Sequence, residues 1–204
     1  MSDKTVDRDT IIEAVVQAIP YVGAPLATLY FGNKQEKRFR RLEKFYQELK
    51  EEMSKSPNVY KDITQHNPEE LSAIIEELNE KVESEHLEFK RKLYKTYFKK
   101  TMIQPVNGNF DERKLFLDIL SAVTPLQIEI IVFLATQSSA VTSNTISKPG
   151  VEQAVILGSL AQLKNYGLIE STVNSIVVGG LNGSINENVT LSKFGIKFNN
   201  FCLH

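Results

Sequence analysis

Cysteine, histidine and net charge are all scarce in this chain of 204 residues, and each scarcity excludes a class of protein. The single cysteine, Cys202, excludes an intramolecular disulfide and a cysteine-built metal site, and it fits a reducing cytoplasm. The three histidines lie far apart, and no catalytic or phosphate-loop motif occurs. A net charge of −1 provides no overall field for nucleic acid or membrane. We therefore expect a non-enzymatic protein without a cofactor.

The first residues of the chain are charged and lack the basic-then-apolar order of a secretory signal. A cytoplasmic location is therefore expected, with peripheral attachment to the inner membrane as a variant of it. At this length the chain can hold one large domain or two small ones, each with a core of its own.

The stretch from Thr124 to Ile169 contains the signals of two helices followed by a strand. Thr124 and Gln127 have the spacing of a capping box, with a proline at the first helical position between them. A second helix is predicted over Val151 to Tyr166, and Gly167 offers its left-handed end. The side chains predicted to form its buried face are Val155, Leu157, Leu160, Ala161 and Leu163.

Alternating apolar residues after Ile169 predict a β-hairpin with a glycine-rich tip at 179–183. Two helices followed by such a hairpin are typical of a winged helix-turn-helix. The other interpretation is an ordinary α+β packing unit with a surface hairpin. In a DNA-binding winged helix the contacts would come from Lys148, Gln162, Lys164 and Asn165. Residues 111–204 carry six basic and seven acidic side chains, which favours protein contacts over DNA binding.

An apolar run extends from Ile11 to Phe31, with Glu13 as its only charge. Its two prolines divide it into a predicted helical hairpin over 11–32, buried in the core or at an oligomer interface. The alternative is a segment that inserts into a membrane on a trigger, although broken backbone is costly in lipid. The residues that would form this membrane or oligomer segment are Val16, Ile19, Val22, Leu26 and Leu29.

Two long helices are predicted next, over 33–55 and 68–103. The second, either straight or bent, carries a coiled-coil-like apolar seam through His86 and Phe89. Basic residues crowd the start of the first helix, and glutamates fill the first part of the second. Antiparallel packing would place the basic cluster opposite Glu80, Glu83, Glu85 and Glu88 and so help to set the register.

Beyond that overlap the second long helix carries cations with no acid among them. These residues are Lys90, Arg91, Lys92, Lys95, Lys99 and Lys100. One interpretation is a solvated face whose cations interact favourably with the dipole at the helix C-terminus. The other is an anion-binding patch, and the aromatic residues between the cations would suit contact with nucleic acid or with a membrane surface.

The turn residues at 103–108 mark the expected domain boundary. The predicted fold is therefore mainly α with a small β-hairpin. A helical domain over 1–108 contains the apolar hairpin and the antiparallel long helices, and a winged-helix-like domain occupies 109–204. Its first helix is expected to begin at Asp111, and the chain is expected to end as a strand entering a short amphipathic helix.

Two phrases of the second half resemble a known family. Residues 116–134 are similar to a leucine-rich segment of the abortive-infection alpha family of bacterial proteins. The Leu-x-x-Leu-x-x-x-Gly-Leu-Ile phrase at 160–169 and the Leu-Ser-x-x-Gly-x-x-Phe phrase at 191–198 resemble its later motifs. MarR-type regulators share much of this phrasing, but their recognition helix is more charged. The resemblance implies a role in limiting phage propagation by harming or arresting the infected cell, and it implies no catalytic residues.

The leading hypothesis is thus a phage-defence protein that acts through a protein partner or as a homo-oligomer, with membrane engagement by residues 11–31 as an addition. The alternative is a transcription regulator that dimerises through its long helices and binds DNA weakly, with help from the Lys90–Lys100 patch.

Overall fold

The computed structural model describes residues 33–56, 59–176 and 185–204. These residues are mainly helical, with a small antiparallel sheet, as the composition and periodicity predict. They divide into two compact units, one ending at Ser121 and the other beginning at Ala122. The boundary therefore lies later than the expected 108/109 position, and the helix that follows 109 belongs to the first unit.

The described part of the first unit contains four α-helices. They are α1 (Asn33–Ser54), α2 (Pro68–Ser84), α3 (Glu88–Ile103) and α4 (Phe110–Ala122), the last of which ends at the unit boundary. Pairs of contacting residues show that successive helices run antiparallel, so the arrangement is an up-down-up-down bundle. Its core contains fully buried Leu49, Leu78, Tyr94 and Phe98.

The packing of α1 against α2 follows the predicted antiparallel register. Arg38 lies 3.6 Å from the Glu83 carboxylate, and the hydroxyl of Tyr46 donates to Asn79 Oδ1 at 2.5 Å. The α2 helix begins at its predicted position, directly after Asn67, whose Oδ1 accepts from the backbone amides of the first turn. The predicted pairing of the basic cluster with the later glutamates of α2 is thus confirmed at Glu83.

The single helix expected over 68–103 is wrong, because residues 85–87 interrupt it. The α3 helix then folds back beside α2 and runs parallel to α1, with Lys95 beside Glu48 and Lys99 beside Glu52. The apolar seam continues only to Val82, and Phe89 is 43% exposed. The reversal breaks up the row of unpaired cations that a straight helix would have left, because it places Lys95 and Lys99 against the acidic half of α1.

The α4 helix packs within the first unit. The Tyr97 hydroxyl donates to the Arg113 carbonyl at 2.8 Å, and Lys90 Nζ donates to the Ser121 carbonyl at 2.6 Å. Lys114 reaches the Glu77 carboxylate of α2 at 3.0 Å. These contacts explain why the helix predicted to open the winged-helix domain clusters instead with the preceding bundle.

The second unit combines helices with a three-stranded sheet in its described part. The α-helices are α5 (Pro125–Ala135), α6 (Gln153–Asn165) and α7 (Lys193–Phe198), and the strands are β1 (Val141–Thr142), β2 (Ile169–Ile176) and β3 (Ile185–Leu191). The predicted capping box at Thr124 and Gln127 is confirmed at the start of α5. Gly167 adopts a φ of 72° just after α6, as its predicted role requires.

The strands form an antiparallel sheet in the order β1-β3-β2. Ile169 pairs with Leu191 at one end of the β2–β3 ladder, and a bulge interrupts the register between Val173 and Ser175. Val141 of β1 pairs with Val189. The sequence predicted only the β2–β3 hairpin, because a strand of two residues has no measurable alternation.

The chain end packs closely against the start of β2. Ser192 donates through its backbone amide to the Leu168 carbonyl at 3.0 Å, and its hydroxyl caps α7 by accepting from the Gly195 amide at 2.8 Å. Beyond α7, the π-helical turn Asn199–Leu203 buries Phe201 and Cys202. The expected strand-to-helix ending is therefore confirmed, and the single cysteine is buried.

Two predicted features lie outside the described residues. They are the apolar hairpin over 11–32, with Val16, Ile19, Val22, Leu26 and Leu29, and the glycine-rich tip at 179–183. Among the helices that the structure describes, none combines the length and the apolar character needed to cross a membrane.

Candidate functional site

The outward side of α6 is mainly apolar, with Gln162 as an exposed polar residue on it. Val155 and Leu157 are 50% and 38% exposed, and between Gln153 and Leu163 the helix carries no charged residue. Three small residues share this exposed side, namely Ala154, Gly158 and Ala161. Exposed apolar residues grouped on one helix are typical of an interaction surface, whereas single ones are common everywhere. We call these five residues the α6 face.

The buried face of α6 differs from the predicted one. Ile156, Leu160 and Leu163 are at most 4% exposed, so the prediction holds for Leu160 and Leu163 but is wrong for Val155, Leu157 and Ala161. Nearly every position of this helix is apolar or small, so the sequence pattern could not select one side. The structure selects the i, i+4, i+7 set that begins at Ile156.

Gln127 connects α5 to α6 from a buried position. Its Oε1 accepts from the Thr124 amide at 2.8 Å, and its Nε2 donates to Gln162 Oε1 at 2.5 Å. The capping residue of one helix therefore also positions the next one. This contact occupies Gln162, which the sequence offered as a DNA contact.

The two lysines predicted to contact DNA are paired with carboxylates. Lys164 Nζ lies 2.6 Å from Glu187 on β3, and Lys148 pairs with Glu129 on α5. The hydrogen bond from Lys164 lowers the pKa of the Glu187 carboxyl, which keeps that partner ionised. Asn165 is exposed at the end of α6. The positive charge at this surface is therefore neutralised within the unit.

The six cations predicted to form an uncompensated patch on α3 are distributed over different environments. Lys90 is buried, with Nζ 3.7 Å from Glu85. Burial lowers the pKa of Lys90, although the Glu85 carboxylate acts in the opposite direction. Lys100 is half-buried in the last turn of α3, and Lys92 is exposed.

Lys95 and Lys99 form a charge network with α1. Lys95 Nζ lies 2.5 Å from Glu52 and 3.1 Å from Glu48, and Lys99 Nζ lies 2.6 Å from Glu52. Burial alone would raise the pKa of Glu52, but hydrogen bonds from the two lysines outweigh it and lower that pKa. For Lys95, burial acts to lower the pKa, whereas the two glutamates raise it. The prediction of a continuous uncompensated patch is therefore wrong.

The sequence contained a signal for this network that the helix-by-helix interpretation missed. Glu48 and Glu52 are four residues apart on α1, as Lys95 and Lys99 are on α3. Matching i, i+4 pairs of opposite charge suit two parallel helices in contact. The expectation of one long helix kept these two pairs apart.

The surroundings of His66 indicate a structural role. It is 4% exposed, and its Nδ1 accepts from the Val106 amide at 3.1 Å, which joins the loop before α2 to the loop after α3. Burial lowers its pKa and favours the neutral ring that this bond needs. Across the residues that the structure describes, no group of three or more His, Cys, Asp or Glu side chains is arranged to hold a metal ion.

Comparison with known proteins adds no relative: no family model, no curated protein and no solved structure matches the chain.

Proposed function

We propose that the second unit acts through protein contacts, with the α6 face as the surface that a partner covers. The observation that carries this proposal is the exposure of Val155 and Leu157 on an uncharged stretch of helix. Full burial of an exposed side chain of this kind is worth about 1.5–3 kcal/mol, so covering the half or less that is still exposed stabilises a complex by roughly 0.5–1.5 kcal/mol for each residue. Leaving the two side chains exposed to water provides no comparable stabilisation.

Gly158 supports the same interpretation. A side chain at this position would meet nothing within 4 Å, so the chain's own packing does not require a glycine there. Glycine in a helix interior costs about 1 kcal/mol relative to alanine. A glycine on an exposed helix face is explained if the backbone of a partner approaches closely at that point.

The topology also favours a winged helix that has been adapted to protein contacts. The order α5, β1, α6, β2, β3, with β3 central in the sheet, is compatible with a helix-turn-helix that carries a wing. In such a domain α6 would hold the position of the recognition helix. Duplex DNA requires phosphate neutralisation, and here Lys164 is already engaged by Glu187.

For the cellular role we propose phage defence by arrest of the infected cell. Its support is the resemblance of the phrases at 160–169 and 191–198 to the abortive-infection alpha family. A defence protein of this kind needs a partner that signals infection or that is harmed by it. The α6 face is the surface that we assign to that partner.

The test compares two variants in a bacterial host challenged with phage. The double variant Val155→Asp/Leu157→Asp places two charges in the α6 face, whereas Ile196→Asp changes a side chain of the same unit that is 48% exposed outside that face. We expect the double variant to lose protection and Ile196→Asp to keep it. Circular dichroism of the purified proteins verifies that both are folded. Protection by a folded double variant would refute the role of the α6 face.

The regulator remains the competing function, since its connectivity is the same. Its test uses Lys148→Gln and Lys164→Gln. Glutamine is chosen because a glutamate at position 148 or 164 would repel the carboxylate of Glu129 or Glu187 beside it. We expect the unmodified protein to bind random duplex DNA only weakly and the glutamine variants to bind equally weakly. Tight, steeply salt-dependent binding that the glutamine variants lose would favour the regulator.

A further inference from the structure

Two arginines converge on the end of α2, where the chain reverses. Arg41 of α1 donates from Nε to the Glu83 carbonyl at 2.8 Å and also from Nη2 to the same oxygen. Arg91 of α3 donates from Nη1 to the Glu85 carbonyl at 2.9 Å. Both guanidinium groups are thus held in place by backbone carbonyls that α2 leaves without intrahelical partners.

These arginines line a small crevice between α1 and α3. Lys44, Lys92 and Lys95 also line it, so five cationic side chains stand against the two carboxylates of Glu48 and Glu88. Its volume of about 10 Å³ holds roughly one water molecule. We call this the α1–α3 crevice.

One of the two carboxylates is already neutralised. Glu48 lies 3.1 Å from Lys95 Nζ and 3.5 Å from Lys44 Nζ. The local balance that remains is Arg41, Arg91 and Lys92 against Glu88 alone. Each guanidinium carries five N–H donors and uses only one or two of them on the carbonyls. The crevice therefore combines excess positive charge with donors in fixed positions.

We propose that the α1–α3 crevice binds a phosphate group, with Arg41 and Arg91 as oriented donors and Lys92 as a mobile cation. Arginine forks match the oxygens of a phosphate, and guanidiniums held in place lose less entropy on binding. The size of the crevice admits one oxygen of the group and leaves the rest of the ligand outside. A duplex backbone would need a row of cations, but Lys95 and Lys99 farther along α3 are paired with carboxylates. The site thus suits a single phosphomonoester or inorganic phosphate, and it belongs to the first unit, whereas the α6 face belongs to the second.

The experiment measures binding of inorganic phosphate to the full chain by calorimetry, at constant ionic strength and with chloride as the reference anion. The test variant is Lys92→Gln, which leaves both arginines and their carbonyl contacts in place and keeps Lys44 beside Glu48. The matched control is Lys50→Gln, which removes one exposed lysine of the same unit outside the crevice. We expect saturable phosphate binding that weakens at least about tenfold in the test variant and stays unchanged in the control.

A second arm adds vesicles of neutral phospholipid with and without phosphatidic acid, to separate a lipid headgroup from a free phosphate. Co-sedimentation that requires phosphatidic acid and Lys92 would identify the lipid source, and calorimetric binding without co-sedimentation would identify the free one. Absence of binding to both phosphate and phosphatidic acid, or equal weakening in the test and control variants, would overturn the proposal. Binding to random duplex DNA for which inorganic phosphate does not compete would overturn it as well.

Discussion

Two glycines of the second unit make opposite predictions for the same substitution. A Cβ at Gly195 would lie 1.9 Å from the Leu168 carbonyl oxygen and 2.8 Å from its carbon, whereas a Cβ at Gly158 would meet nothing within 4 Å. Both residues lie in helices with ordinary helical backbone. Alanine should therefore be incompatible with one site and preferred at the other.

The magnitude at Gly195 follows from the separation that alanine would force. Moving the new Cβ from 1.9 Å to an ordinary contact requires a shift of at least about 1 Å between α7 and Leu168. That shift breaks the Ser192 bonds to the carbonyls of Leu168 and Gly167, each worth about 1 kcal/mol. It also loosens buried Phe198, whose full burial is worth about 1.5–3 kcal/mol. After a gain of about 1 kcal/mol in helix propensity, the net loss is roughly 2–4 kcal/mol.

The assay is urea unfolding followed by far-UV circular dichroism, with amide hydrogen exchange of β3 and α7 to isolate the second unit. We expect Gly195→Ala to lower the free energy of unfolding of this unit and Gly158→Ala to raise it by about 1 kcal/mol. Equal stability of the Gly195 variant and the unmodified chain would refute the close approach of α7 to Leu168. Equal losses in both variants would refute the assigned difference between the two sites.

Three further predictions concern the first unit. Burial lowers the pKa of His66 in the folded state below its ordinary 6.5, so near this pH the folded unit binds fewer protons than the unfolded one. The contribution of His66 to stability should therefore be full above pH 6.5 and fall below it, by at most about 1.4 kcal/mol per pH unit. Urea unfolding of His66→Gln should lack this dependence on pH. Tyr46→Phe leaves Asn79 without its buried partner and should cost about 1–3 kcal/mol in thermal unfolding; no change in melting temperature would contradict that bond. Glu52→Gln should cost about 1–2 kcal/mol, less than for a fully buried pair because a second glutamate still holds Lys95, and raising the salt concentration should shrink the difference.

The second unit was largely predictable from the sequence because its signals are local. A capping box begins α5, Gly167 ends α6, and alternation marks β2 and β3. Each signal depends on backbone groups within a few residues, so it works without knowledge of the rest of the fold. In the Leu-Ser-x-x-Gly phrase at 191–195 the serine has a local role, since Ser192 caps α7, whereas Gly195 permits the close approach of α7 to the distant Leu168.

The chain reversal at 85–87 could not be predicted in the same way. Every step of four or three from Leu71 to Tyr97 continues a helical period, and no proline or glycine interrupts it. Two of the contacts that stabilise the reversal come from α1, which is distant in sequence: Arg41 covers the freed Glu83 carbonyl, and Glu52 meets Lys95. Arg91, six residues beyond Glu85, covers the second carbonyl. Local periodicity contains no information about such partners.

Only part of the candidate site could be predicted from the sequence, for a related reason. The sequence predicted a helix with little charge at this place, but it assigned Val155 and Leu157 to its buried face, and both are exposed. On a helix that is apolar nearly all round, the buried side is decided by what packs against it. Here Ile156, Leu160 and Leu163 fill that side, which leaves the α6 face exposed.

Site-specific photocrosslinking from position 155 in living bacteria tests the central proposal most directly. A photoreactive residue at Val155, with a second one at Ile196 as the control, reports what covers the α6 face during phage infection. We predict a discrete protein adduct from position 155 that is absent from position 196 and that Leu157→Asp removes. Crosslinks to DNA from position 155, or the same adducts from both positions, would contradict a protein-binding α6 face.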